Sequence, residues 1–151
     1  MYRIILNALV VAAIAWGTFG IGACTQPPPL ELVTHEEASQ PATRGSFEQQ
    51  TKGPNITVLA PTGTGPISSP FPIHIEFSAD SAATAVNMAS LKLTYMKLWG
   101  IDITDRVKDY IRGNTVSVPE TDIPAGKHTI EIYIEDSEKN VSSQQITINV
   151  K

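Results

Sequence analysis

From residue 54 to residue 150, apolar side chains recur at every second position in a series of short runs. They are Ile56 and Val58; Phe71, Ile73, Ile75 and Phe77; Leu91, Leu93 and Tyr95; Val116 and Val118; Ile130, Ile132 and Ile134; and Ile146, Ile148 and Val150. Successive side chains of a strand point to opposite faces, so each run predicts a strand with one face turned inward and the other toward water. Turn-forming residues separate the runs: Pro61, Gly63, Gly65 and Pro66, then Trp99-Gly100, Arg112-Gly113-Asn114, Pro124-Ala125-Gly126 and Ser137-Glu138-Lys139-Asn140. Strands alternating with turns, and no long amphipathic helix, predict an all-β domain over residues 54–151, an antiparallel two-sheet sandwich of about seven strands. One short segment reads as helical, with Thr104 as cap, Asp105 in the first turn, Val107, Tyr110 and Ile111 at helical spacing and Gly113 as the stop. The same stretch fits equally well an edge strand over 102–107 followed by a coil over 108–112.

A set of local motifs carries a family resemblance. Phe77, Ser90-Leu91-Lys92-Leu93, Gly100-Ile101-Asp102-Ile103-Thr104 and Ile123-Pro124-Ala125-Gly126-Lys127-His128 are followed by the strand that runs from Ile130 to Asp136. Together they resemble a bacterial immunoglobulin-like domain, in which Gly-x-His precedes an alternating strand ending in Asp and a Gly-Asn turn commonly follows. Here Lys139-Asn140 stands in place of Gly-Asn. The resemblance implies a spacer, an adhesion module or an accessory domain of a surface protein, which narrows function only to binding or scaffolding.

Ahead of the domain, Arg3, an apolar run over residues 4–15 and small residues over 20–23 have the order of a cleaved targeting segment, residues 1–23. Asn7, Gly17, Thr18, Gly20 and Gly22 dilute the run below what a spanning helix needs, about 20 strongly apolar residues. Ile21, Gly22, Ala23 and Cys24 resemble the lipobox of bacterial lipoproteins, which implies acylation of Cys24 and cutting before it. Three acyl chains, as the resemblance implies, make the anchor effectively permanent, since each buried methylene contributes about 0.8 kcal/mol. Thr25 after the cysteine, rather than Asp, points to the outer membrane, facing the periplasm or the cell surface. Cys24 is the only cysteine, so the domain holds no internal disulfide and relies on packing. Residues 24–53 contain Pro27-Pro28-Pro29, Glu31, Glu36, Glu37 and a Ser/Gln/Thr-rich tail, a composition that predicts a disordered, flexible linker with an average reach of about 30 Å. The alternative within it is that residues 30–33 add an edge strand.

The candidate partner surface is Met96, Leu98 and Trp99. If Leu91, Leu93 and Tyr95 point inward, Met96 and Leu98 point outward beside the only tryptophan after the targeting segment. The competing expectation is that a bulge or the 107–111 segment covers all three. Of the histidines, His35 falls in the linker, His74 on an outward position and His128 on an inward one, as a ring bonded to loop backbone; none has the spacing of a nucleophile pair or a zinc site, and no catalytic residue is assigned. The acidic groups Asp102 with Asp105, and Glu135 with Asp136 and Glu138, match no calcium loop, and Asp136 is expected to fix a turn instead; no metal or cofactor is assigned. Residues 53–151 carry 8 Lys and Arg against 11 Asp and Glu, which leaves no basic stripe for nucleic acid. These readings favour a membrane-anchored, non-enzymatic module that scaffolds another cell-envelope protein. The alternative is a carbohydrate-binding or adhesion module for cell-wall or extracellular polysaccharide, stacking sugars on Trp99 with Tyr95 or Tyr110.

Overall fold

The alternation written in the sequence is carried out as alternating burial. The computed structural model describes residues 27–43, 47–63 and 65–151; Ile21, Gly22, Ala23 and Cys24 lie outside the described residues. In chain order the elements are β1 (Leu30–Glu31), α1 (His35–Ser39), β2 (Gln50–Thr51), β3 (Asn55–Ala60), β4 (Phe71–Ser78), β5 (Val86–Tyr95) and β6 (Ile101–Asp102). They continue with α2 (Thr104–Val107), a 3-10 turn (Lys108–Tyr110), β7 (Ile111–Arg112), β8 (Thr115–Asp122), β9 (Gly126–Asp136) and β10 (Val141–Val150). One sheet has the order β1-β8-β4-β3, with β7 also on β8, and the other has the order β2-β10-β9-β5-β6. Every strand pair is antiparallel except β1 on β8. The two sheets form an all-β, immunoglobulin-like sandwich.

The core lies between the sheets. Phe71, Ile73, Ile75, Phe77, Val116 and Val118 fill it from one side, and Leu91, Leu93, Tyr95, Ile130, Ile132, Ile134, Ile148 and Val150 from the other. These are positions that the period-two runs predict to face inward; Ile56, Val58 and Ile146, from the same runs, are only partly buried against the core. In the 102–112 stretch the helical reading holds in shortened form: Asp102 ends β6, a helical turn over Thr104–Val107 and a 3-10 turn over Lys108–Tyr110 follow, and Ile111 begins β7, so 102–107 is not an edge strand. Thr104, expected as the cap, is instead the first helical residue, with Ile103 at the capping position, and Asp102 accepts from the Thr104 N–H at 2.9 Å and from its hydroxyl at 2.6 Å. Ile103 and Val107 from this corner are buried in the same core.

The turn between β9 and β10 is built by Asp136, whose Oδ1 accepts from the N–H groups of Glu138 and Asn140 and whose Oδ2 accepts from the Asn140 amide. Lys139 sits here at φ +68°, the left-handed conformation for which the resembled family uses glycine. Lys139→Gly is therefore expected to leave stability unchanged or raise it by up to about 1 kcal/mol, the relief of the Cβ clash being partly offset by chain entropy. Thermal unfolding of the two proteins measures this.

The expectation of a flexible linker over 24–53 is corrected for the described residues from Leu30 to Thr43 and from Gln50 to Gly53. Leu32 and Val33 are each 1% exposed and belong to the core, which stabilises this segment by about 1.5–3 kcal/mol per side chain. Leu30 lies opposite Thr121, so the edge-strand alternative describes this stretch. Thr34, Glu37 and the backbone between them form a capping box that starts α1. Glu37 then receives a fork from Arg106 of α2, with Nη1 to Oε2 at 2.9 Å and Nη2 to Oε1 at 2.5 Å, while the same Nη1 donates to the Leu32 carbonyl at 2.6 Å. Farther on, β2 pairs with β10, and the Gly53 N–H donates to Val141 O and Ser142 Oγ. A Cβ at Gly53 would lie 2.4 Å from Asn140 O, so only glycine fits that approach. Composition misses this segment because two core residues and one ion pair suffice to dock a mostly polar stretch.

The Arg106 guanidinium, through its hydrogen bonds, holds the Glu37 carboxyl at about 2, well under its ordinary 4.5. A depressed carboxylate stabilises the fold fully above its unfolded value, and that contribution fades as pH falls from about 4.5 towards 2. Arg106→Met should lower stability by about 1–3 kcal/mol at neutral pH. It should also flatten the decline in melting temperature between pH 5 and pH 2, which thermal unfolding across that range reads out.

Candidate partner surface and the buried pair beneath it

The candidate surface lies on the turn that leaves β5. Met96 N–H donates to Thr129 O at 2.8 Å, Lys97 N–H to Tyr95 O at 3.0 Å, and Gly100 N–H to Lys97 O at 2.9 Å. Gly100 closes the turn at φ +61°. The docked N-terminal segment clamps the same turn from the side: Ala42 bridges Lys97, and Leu98 N–H donates to Pro41 O at 2.9 Å. Lys97 itself is buried, its Nζ donating to Ala38 O at 2.8 Å and lying 5.2 Å from the centre of the Tyr95 ring. A lysine at this position reads from sequence as solvated, and only the packed α1 shows what it holds.

This geometry divides the three predicted residues. Trp99 is 86% exposed and Leu98 52% exposed at the tip of the turn. Met96 is half-buried on the outer face of the second sheet, in a groove shared with Phe47, Glu131, Tyr133 and Gln145. Neither a bulge nor the 107–111 segment covers Leu98 and Trp99. Phe47 and Tyr133 escaped the sequence reading, although Tyr133 alternates outward between the buried Ile132 and Ile134 and was legible on parity alone.

Tyr95 is fully buried, which removes it as a sugar-stacking platform. Its hydroxyl lies 2.8 Å from His128 Nδ1, and His128 Nε2 lies 2.8 Å from Pro124 O. A carbonyl only accepts, so Nε2 carries the ring proton and Nδ1 accepts from Tyr95. Burial pushes the Tyr95 hydroxyl up to about 12 and, as the largest cause, lowers the His128 pKa; the Lys97 charge lowers it further while the bond to Pro124 O opposes the shift. His128 thus meets the expectation of an inward ring bonded to loop backbone. Tyr110 is partly buried and packed against the core.

His74 points to the outer face of the first sheet, 3.3 Å from Ser117 Oγ and 3.3 Å from Glu76 Oε1. Among the described residues no group of three or more His, Cys, Asp or Glu is placed to hold a metal ion. Glu135 is engaged by Tyr133 and Lys139, and Asp102 by Thr104. Comparison of the chain with protein-family models, curated proteins and solved structures found no match.

Tyr95→Phe would leave the buried Nδ1 of His128 without a donor and should destabilise the protein by about 1–3 kcal/mol. Trp99→Ala, which removes a ring that packs on little, should stay within about 0.5 kcal/mol of the parent. Denaturant unfolding of both variants measures the contrast.

Proposed function

We propose that the protein is a membrane-anchored, non-enzymatic immunoglobulin-like module, attached through Cys24, that supports another protein of the cell envelope. The observation that carries this reading is the docking of residues 30–42 onto the sandwich by Leu32, Val33 and the Glu37–Arg106 fork. A support has to present its partner at a fixed place relative to its attachment, and a chain start built into the core provides that fixity where a loose linker would not. The partner-facing surface is the groove around Met96, Phe47 and Tyr133 on the second sheet. Methionine and aromatic side chains are the residue types enriched where protein surfaces meet.

The test is affinity purification of the full-length protein from detergent-solubilised membranes, beside Cys24→Ala and Met96→Asp versions. A defined envelope protein should accompany the parent and fall by about tenfold or more with Met96→Asp, a loss equivalent to about 1.4 kcal/mol. It should be absent with the unanchored Cys24→Ala. No enriched protein, together with glycan retention in affinity electrophoresis that Trp99→Ala abolishes, would replace this reading with the polysaccharide-binding one.

A further inference from the structure

Among the described residues nothing pairs with the outer edge of β3, and the outer edge of β10 is paired only by β2 with the residues just after it and by Ile67. The two edges lie on the same side of the sandwich. β4 starts opposite the end of β8 and β9 starts shortly after it, so β3 and β10, antiparallel to β4 and β9, run side by side toward the same pole.

Hydrogen bonding fixes which backbone groups of β10 face outward. Val141 O accepts from the N–H groups of Lys52 and Gly53, and Asn149 O accepts from the Ile67 N–H at 2.9 Å. Both acceptors lie on the edge away from β9, so the odd-numbered residues of this strand turn their N–H and C=O groups outward. Ser143 is met by Gln50 of β2. Between that pair and Ile67, Gln145 and Thr147 each direct an N–H and a C=O outward, and no described residue pairs with them. The gap from Ser143 to Asn149 spans six positions (149 minus 143), about 20 Å of strand.

Beside the gap, Val58, Ile67, Ile146 and Ile148 line a cleft of about 300 Å³, and none of its described lining residues is charged. A space of that size takes side chains rather than a single ordered water. Unpaired strand groups bond to an extended backbone, and an uncharged cleft beneath them accepts its apolar side chains. β2 and Ile67 stand forward at either end of the gap, so a short extended segment enters where the ten-residue β10 of a second copy would meet both flanks. Gln145 also borders the Met96 groove, which places a protein seated on that groove next to the gap.

We propose that the outer edge of β10 at Gln145 and Thr147 docks an extended segment of a partner protein, which adds as a short strand between β2 and Ile67 and lays alternate apolar side chains over Val58, Ile67 and Ile146. The inference rests on the reading of this protein as a support for another protein, and it does not require the Cys24 anchor.

The test is amide hydrogen exchange, at residue resolution, on the full-length protein in detergent with a blocked peptide that alternates valine and threonine and carries a lysine at each end. Backbone pairing tolerates many sequences, so this probe represents the class. The Gln145 and Thr147 N–H groups should exchange freely in the protein alone and slow about tenfold once the probe reaches about ten times its Kd. The peptide N-methylated at every residue should have no effect. Thr147→Pro removes an N–H that has no partner in the fold, a change that strand edges tolerate; it should abolish the slowing at Gln145 while amides elsewhere in β9 and β10 stay protected. If that variant does not fold, the methylated peptide makes the same comparison from the other side. Gln145 and Thr147 amides that are protected in the protein alone, or unmoved by millimolar probe, overturn the docking edge. Protection that grows with protein concentration without probe gives the edge to a second copy and overturns it as well. In the affinity purification, an envelope partner lost with Met96→Asp but fully retained by Thr147→Pro overturns the edge contact and leaves the support reading intact.

Discussion

Arg106 joins two parts of the chain that composition would keep apart, its own corner and the segment that holds Leu32 and Glu37. From the single turn of α2, its guanidinium forks onto Glu37 and also donates to the carbonyl of Leu32. Two of its hydrogen bonds end on a carboxylate and one on backbone at the edge of the core, so charge pairing and apolar burial act on the same few residues. With Leu32 and Val33 drawn inside, α1 lies where its Ala38 carbonyl meets Lys97 and Pro41 meets Leu98. The shape of the candidate surface follows from that placement. Without the docked segment, the turn after β5 would lose its clamp and Lys97 the carbonyl acceptor of its buried ammonium.

The Tyr95, His128 and Lys97 cluster shows how this pole tolerates polar groups inside an otherwise aliphatic sandwich. The tyrosine ring lies beneath the Lys97 ammonium and stacks against the His128 imidazole, with ring centres 5.8 Å apart. A neutral imidazole is the form that fits, because its one proton is directed to Pro124 O and its other nitrogen accepts from Tyr95. Burial and the neighbouring ammonium both oppose a second proton. The arrangement holds a turn in place.

Much of the sandwich was legible because parity is a local property. Phe71, Ile73, Ile75 and Phe77 in β4, and Ile130, Ile132 and Ile134 in β9, each announce a buried face without reference to any other strand. His128 and Asp136 were readable for the same reason, one from its inward position and the other from the turn it ends. The N-terminal segment was not, since Leu32 and Val33 form no periodic run and Glu37 looks like any solvated acid until Arg106 is known to face it. A capping-box signal was present in Thr34 and Glu37, but it marks a helix start and says nothing of where the helix docks. Trp99 was found from its neighbours' parity, whereas the separation of Met96 from it depends on a turn whose course the N-terminal segment sets.

The sequence by itself determined the class of fold, the inward faces of the long strands and the positions of the turns, because side-chain alternation and turn chemistry act over a few residues. The likeness of Ile21, Gly22, Ala23 and Cys24 to a lipobox is a local pattern of the same kind. Tertiary structure alone decided that packing against the sandwich begins at Leu30, that Lys97 and Tyr95 are buried, and that Trp99 stands exposed on a turn clamped by Pro41 and Ala42. Those outcomes depend on contacts across tens of residues, Glu37 with Arg106 and Ala38 with Lys97 among them. No local pattern encodes such a pairing, because each partner alone is an ordinary polar residue and its burial becomes favourable only when the other is in place.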